Sequence, residues 1–312
     1  MHSVISVLTD KPWRAEAIAR LLAGLFVCTF LGSLALTVIR FDPANAKSSS
    51  TAFYLETGGA ALALLGALAA IAKPWKFEHF KLRAAFFLTC SFVGLALAGI
   101  AQKSSGVTGR ETTILGMIVA MLSFQGAAIL LIWLFTQQHG AALREGFGLG
   151  TGVGHALMLG ATAGLGFIPV GLGLQFGIAM LTKQWFNIDL AAQDAVTILR
   201  LADSWPDRIA LGMFAIVLAP LAEEGLFRGI FYPAIKRLGF PNAALWVTSL
   251  VFALIHFNAL SFIPLVVLAI VLVKLYEKTG NLLACITCHA TFNGFNFVML
   301  FLMNNAATKS GP

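Results

Sequence analysis

The feature that most constrains this chain is a succession of runs of 16 to 22 apolar residues separated by short charged stretches. About 20 apolar residues is the length an α-helix needs to cross the hydrocarbon core of a bilayer. A helix crosses safely because it satisfies its own backbone hydrogen bonds. Only 11% of the 312 residues are charged and 58% are hydrophobic, with a mean hydropathy of +0.85. That is far from the roughly 25% charged usage of soluble domains, so a water-soluble fold is ruled out. The four cysteines, Cys28, Cys90, Cys285 and Cys288, all fall inside apolar runs, as small core residues do, which argues against a secreted disulfide framework. The net charge of +7 comes from Lys and Arg placed between the runs. Lipid head groups call for that pattern, and it gives no reason to invoke nucleic acid.

The expected fold is therefore all-α, a polytopic transmembrane helix bundle of about nine spans enclosing an intramembrane polar cavity. The spans are expected near Leu21 to Ile39, Phe53 to Ala72, Ala84 to Ala101, Ile114 to Phe135, Val153 to Leu181, Ile209 to Ile235, Ala243 to Phe257, Leu260 to Tyr276 and Leu282 to Met303. Lys11, Arg14 and Arg20 ahead of the first run, with Ala44-Asn45-Ala46 after it, resemble a signal peptide. The run exceeds a usual signal core, and Arg40 and Asp42 intervene, so an uncleaved first helix is the reading. Alternate loops carry twelve Lys and Arg residues on the side of Lys11 and eight on the other, which favours an N-terminus in the cytoplasm of a cell membrane.

The organisation changes near Lys183. Residues 1–182 hold Ala-, Leu- and Gly-rich helices without deep charge and of unassigned role. Residues 183–208 form a polar connection with Asp189, Asp194, Asp203 and Asp207. In residues 209–303 the polar residues move inside the spans, and 304–312 are a tail. Of 14 acidic residues only Glu223 and Glu224 sit deep in apolar sequence. An ionised side chain at bilayer depth costs at least roughly 2.5–3.5 kcal/mol, so two adjacent carboxylates demand a reason. Arg228, four residues past Glu224, can neutralise that one, leaving Glu223 without a local partner. The bland reading is an ion-pair cluster that seals helices together.

His256 ends the next apolar run, and His289 and Asn293 share a face of the last span at spacing four. Counted at 1.5 Å per residue from Lys236, Pro241 and Gly280, Glu223 lies about 20 Å, His256 about 22 Å, His289 about 13 Å and Asn293 about 20 Å into the membrane. Four polar side chains from three helices thus converge in depth. A carboxylate beside an imidazole can take a proton from water, and neutral donors can hold the oxyanion that water attack creates. Gly225 and Gly229 are expected to leave room for a substrate beside the carboxylates. No G-x-S-x-G, H-E-x-x-H, Walker loop or dinucleotide fingerprint is present.

The stretches EEGLFR (Glu223 to Arg228), FALIH (Phe252 to His256) and HATFN (His289 to Asn293) resemble, in order and spacing, the E-E-x-x-x-R, F-x-x-x-H and H-x-x-x-N motifs of the CPBP intramembrane glutamic proteases. That family, also called Abi, joins type II CAAX prenyl proteases with bacteriocin self-immunity proteins. The resemblance covers Ile209 to Met303. It implies a peptide hydrolase acting on a membrane-associated protein or peptide. Glu223 would be the base that activates water, His256 its partner on that water, and His289 with Asn293 the oxyanion pair. Glu224, Arg228 and Phe252 would be supporting residues, and no cofactor is implied.

Three rival readings stay open at this level. Cys285-Ile286-Thr287-Cys288-His289 has the C-x-x-C-H spacing of haem attachment, but inside an apolar run where thioethers have no place to form. Two His and a Glu are a common zinc set, which gives a zinc-dependent version of the same protease. Pro220 and Gly225 around the Glu pair also fit the interrupted helix of a non-catalytic immunity or transport scaffold.

Overall fold

The computed structural model describes residues 11–39, 46–71, 80–104, 114–150, 152–191 and 204–309, with single positions 196, 199 and 202. Among them all regular structure is helical. In order these are α1 (Ala15–Ile39), α2 (Ala46–Ile71), α3 (Phe80–Ser104) and α4, which runs from Ile114–Met121 through a π-helical stretch, Leu122–Gly126, into Ala127–Gln138. Then, after a single helical turn at Leu143–Gly146, come α5 (Val153–Phe186), α6 (Trp205–Arg237), α7 (Pro241–Leu254), α8 (Ala259–Thr279) and α9 (Leu282–Lys309). Each apolar run of the sequence falls on one of these helices, except that the run from Ala243 to Phe257 outlasts α7, which ends at Leu254, and Ala72 lies outside the described residues.

Six of them are long and apolar enough to cross a membrane: α1, α4, α5, α6, α8 and α9. The chain is thus an integral, multi-pass membrane protein. The apolar parts of α2 and α3 are shorter, and α7 has only 14 residues, about 21 Å of helix. Of the polar connection, Asp194 and Asp203 lie outside the described residues; Lys183 pairs with Asp189, and Ser204 caps α6 by accepting from the Asp207 amide.

The chain divides into two compact units, one of Arg14–Phe135 and one of Met1–Trp13 with Thr136–Pro312. Within the first, α2 and α3 touch backbone to backbone. A Cβ on Gly59 would stand 2.7 Å from the Gly94 carbonyl, and one on Gly66 would stand 2.6 Å from Cys90 Cβ. Small residues at a contact let helices approach closely enough for dispersion to hold them without a hydrophobic driving force.

The second unit uses the same device. A Cβ on Gly160 would meet the Ala284 carbonyl at 2.4 Å, and one on Gly164 the Cys288 carbonyl at 2.7 Å, so α5 lies flush against α9. α8 packs on α5, α7 and α9, and α6 lies on α9 and α7. The turn between α8 and α9 bends at Gly280 (φ 64°), where the Leu282 amide donates to the Phe147 carbonyl. The described N-terminal residues join this unit too. Trp13 is buried, its indole N–H donates to the Gly229 carbonyl at 3.0 Å, and its ring meets His139 edge-on. Lys11 donates to the Gly146 carbonyl, and Arg237 donates to the Lys11 carbonyl at 2.8 Å. Burial pulls the Lys11 ammonium down to about 8.

Candidate active site

The site is built around α6, which is not a regular helix. Phe214–Leu218 is a π-helical stretch, Ala219–Glu224 is α-helical, and Gly225–Phe231 is π-helical again before Tyr232–Arg237 closes the element. The cause is readable in two prolines. At the end of the first π stretch the Ala219 amide donates five residues back, to Phe214. The next donor in that register would be residue 220, which is proline and has no N–H. The carbonyl so released, that of Ala215, accepts instead from Asn293 Nδ2 at 2.9 Å. At the end of the second stretch the Tyr232 amide donates to Phe227, and Pro233 again has no N–H for the carbonyls of Arg228 or Gly229. Gly229 is where the Trp13 indole donates. π-helical turns of this kind concentrate at functional sites because they re-aim side chains and free backbone groups.

Between the two stretches lie Glu223 and Glu224, both buried. Glu224 is fully enclosed. Arg228 Nη1 donates to its Oε1 at 2.9 Å, and His289 Nδ1 meets the same oxygen at 2.8 Å. Arg228 is fixed further by Nη2 donating to the Ala269 carbonyl of α8 at 3.1 Å and by the Phe252 ring, whose centroid lies 4.7 Å from the guanidinium carbon. One carboxylate therefore ties α6 to α9, and its partner Arg228 ties it to α8. The Phe252 ring is buried beside both imidazoles, with centroids 5.0 Å from His256 and 5.7 Å from His289.

Glu223 is held differently. Its Oε2 makes no hydrogen bond among the described residues and stands 4.0 Å from Nε2 of His256 and 4.0 Å from Nε2 of His289. That is too long for a direct hydrogen bond, and it matches the span of one water molecule bonded at about 2.8 Å to each side. His256 sits in the turn after α7, which ends at Leu254, and its Nδ1 lies 2.7 Å from the Phe252 carbonyl. The carbonyl can only accept, so Nδ1 carries a proton and donates to it, while Nε2 faces Glu223. At 23% side-chain exposure against 8% for Glu223, His256 is the member of the group that reaches the surface.

The structure thus brings Glu223, His256 and His289 together around one carboxylate oxygen, with Glu224, Arg228 and Phe252 behind them. Asn293 is tied to the α6 backbone, two turns before the Glu pair. Sequence reasoning gives the Glu224–Arg228 pair from spacing alone. It misses the contact of His289 with Glu224, and also Trp13 and Phe147, whose sequence surroundings look like an ordinary span boundary and loop. One expectation is corrected. Gly229 does not leave room for a substrate, because a Cβ there would stand 2.5 Å from the Phe147 ring. Tetrahedral zinc would hold its ligand atoms about 3.3 Å from one another. Among the described residues no group of three or more His, Cys, Asp or Glu is set to hold a metal ion. Cys285 and Cys288 are buried free thiols within α9, and Cys285 donates to the Leu272 carbonyl.

Comparison with known proteins places a label on one segment. Residues 205–295 match the family model described as type II CAAX prenyl endopeptidase, Rce1-like. The chain is also 38% identical over 81 residues to an uncharacterized protein, YpbD, of Bacillus subtilis (strain 168). That match covers 25% of this chain and 39% of the length of YpbD. No solved structure matches the chain.

Proposed function

We propose that this protein, whose residues 205–295 match the family model described as type II CAAX prenyl endopeptidase, Rce1-like, is an intramembrane glutamic endopeptidase. It hydrolyses a peptide bond of a membrane-associated protein or peptide, using water activated by Glu223 and His256. The observation that carries the reading is that Glu223 Oε2 faces two imidazole Nε2 atoms, each at 4.0 Å, with no hydrogen bond among the described residues. A structural ion-pair cluster would close such distances to hydrogen bonds. Keeping a carboxylate buried and under-satisfied is costly and makes sense where a reactant completes the site.

Glu223 takes a proton from the water as its oxygen attacks the scissile carbonyl, and His256 Nε2 accepts the water's other hydrogen bond and orients it. The Glu223 carboxyl then returns the proton to the leaving amine. His289, held through Nδ1 by Glu224, turns its Nε2 toward Glu223. That edge of the ring, with the second N–H of the Asn293 amide, stabilises the tetrahedral oxyanion. Glu224, Arg228 and Phe252 hold the geometry.

The catalytic core is residues 209–303, with 183–208 as its polar connection and 1–182 outside it. The chain crosses the bilayer about nine times, six of the crossings on the helices long and apolar enough to span it alone, with the N-terminus in the cytoplasm, so the polar cavity opens toward the side of Lys236 and Arg237. Its substrate is cut near or within the cytoplasmic leaflet. The experiment is a comparison of membrane-protein termini between wild-type cells and cells carrying Glu223→Ala at equal protein level. Uncut precursors accumulating in the variant are the expected result, and identical termini would remove the proposal.

A further inference from the structure

We infer that Trp13 is a positioning residue for the carboxylate pair, acting through the indole N–H that it donates to the Gly229 carbonyl of α6. The inference rests on the proposed active site but goes beyond it, since Trp13 lies far outside the segment that matches the family. The two π stretches of α6 bracket Glu223 and Glu224, and each is followed by a proline that deprives a carbonyl of its donor. Each stretch also receives a side-chain N–H from elsewhere in the unit. Asn293 serves Ala215, and Trp13 serves Gly229. The Trp13 bond is made away from water, where a hydrogen bond holds its carbonyl most firmly.

The neighbourhood of Gly229 makes the placement specific. Phe147 lies so close that no side chain fits on residue 229, and the Trp13 ring in turn lies against Phe147 and 3.3 Å from where a Cβ on Gly146 would stand. Trp13 is itself anchored by its neighbour Lys11, whose ammonium holds the Gly146 carbonyl and whose carbonyl is held by Arg237. Gly229 is therefore clamped on one face by an aromatic ring and at its carbonyl by an indole. The residue before it is Arg228, whose guanidinium holds Glu224 and through it His289. Turning the Gly225–Phe231 stretch by a fraction of a residue would swing Arg228 away from Glu224 and release His289. The indole N–H fixes that rotation.

The test is Trp13→Phe, which keeps an aromatic ring and removes the N–H, studied in the full chain in lipid nanodiscs labelled with ring-¹⁵N histidine. The expected result is a shift of the His289 resonances with those of His155 on α5 unchanged, and a fall of about fivefold to tenfold in the rate of Glu223-dependent cleavage without a change in KM. Should Trp13→Phe fail to insert, benzothienylalanine at position 13 keeps the bicyclic shape and lacks the N–H. Unaltered His289 resonances in either variant would overturn the inference, because the ring alone would then be what matters. The spectra read the positioning whether or not the chain cleaves peptides, so a failure of the protease reading and a failure of this one give different results.

Discussion

Glu224 Oε1 carries two partners, Arg228 and His289, on two helices. Removing one member of a buried pair strands the other charge, at roughly 3–5 kcal/mol. Arg228→Ala is therefore expected to lower the thermal unfolding temperature in detergent markedly, with activity lost as a consequence. A variant as stable as wild type but inactive would move Arg228 from support into the chemistry. The pairing of Glu224 with Arg228 is legible in the sequence because spacing four on a helix leaves few alternatives. The contact of His289 with Glu224 is not, because the rotation of α9 about its own axis depends on what it packs against. Asn293 shows the same limit. Its spacing from His289 points to a shared face, yet its partner is decided by a carbonyl that Pro220 sets free on another helix.

At the scale of elements, all nine apolar stretches can be read as helices, because lipid leaves the backbone no other economical choice. Their lengths are less legible. The run ending at His256 reads as a span to Phe257, but α7 stops at Leu254 and Phe257 adopts a φ of 47°, which swings the chain back into α8. The glycines of α5 are equally ambiguous in sequence, since nothing there separates a contact glycine from one facing lipid. In the structure a Cβ on Gly164 would stand 2.7 Å from a backbone carbonyl of α9, while one on Gly166 meets nothing within 4 Å. Gly164→Ala should thus push α5 off α9 and cost about 1–3 kcal/mol. Gly166→Ala should be neutral or slightly stabilising, as alanine favours helix. Thermal unfolding of the two variants side by side checks this, and equal effects would mean that the close approach of α5 to α9 contributes nothing.

For the molecule as a whole, the family match is confined to residues 205–295, yet three of the groups that hold this segment come from outside it. Gly164 seats α9, Phe147 fills the face of Gly229, and Trp13 serves the Gly229 carbonyl. Motif spacing makes the proposed reacting groups legible because chemistry restricts residue type. The supporting groups were hidden because any small, aromatic or donor residue at the right place would serve. The unit Arg14–Phe135 holds none of the proposed catalytic residues. The central claim is that a carboxylate at position 223 activates the water. It is tested most directly by reconstituting the purified protein in liposomes with a substrate found from the membrane-termini comparison and replacing Glu223 by Gln, in the presence and absence of a metal chelator. A loss of about 10²–10⁴ in kcat with the fold intact, and a wild-type rate indifferent to the chelator, is the predicted result. Undiminished cleavage by Glu223→Gln, or a wild-type rate abolished by the chelator and restored by zinc, would contradict it.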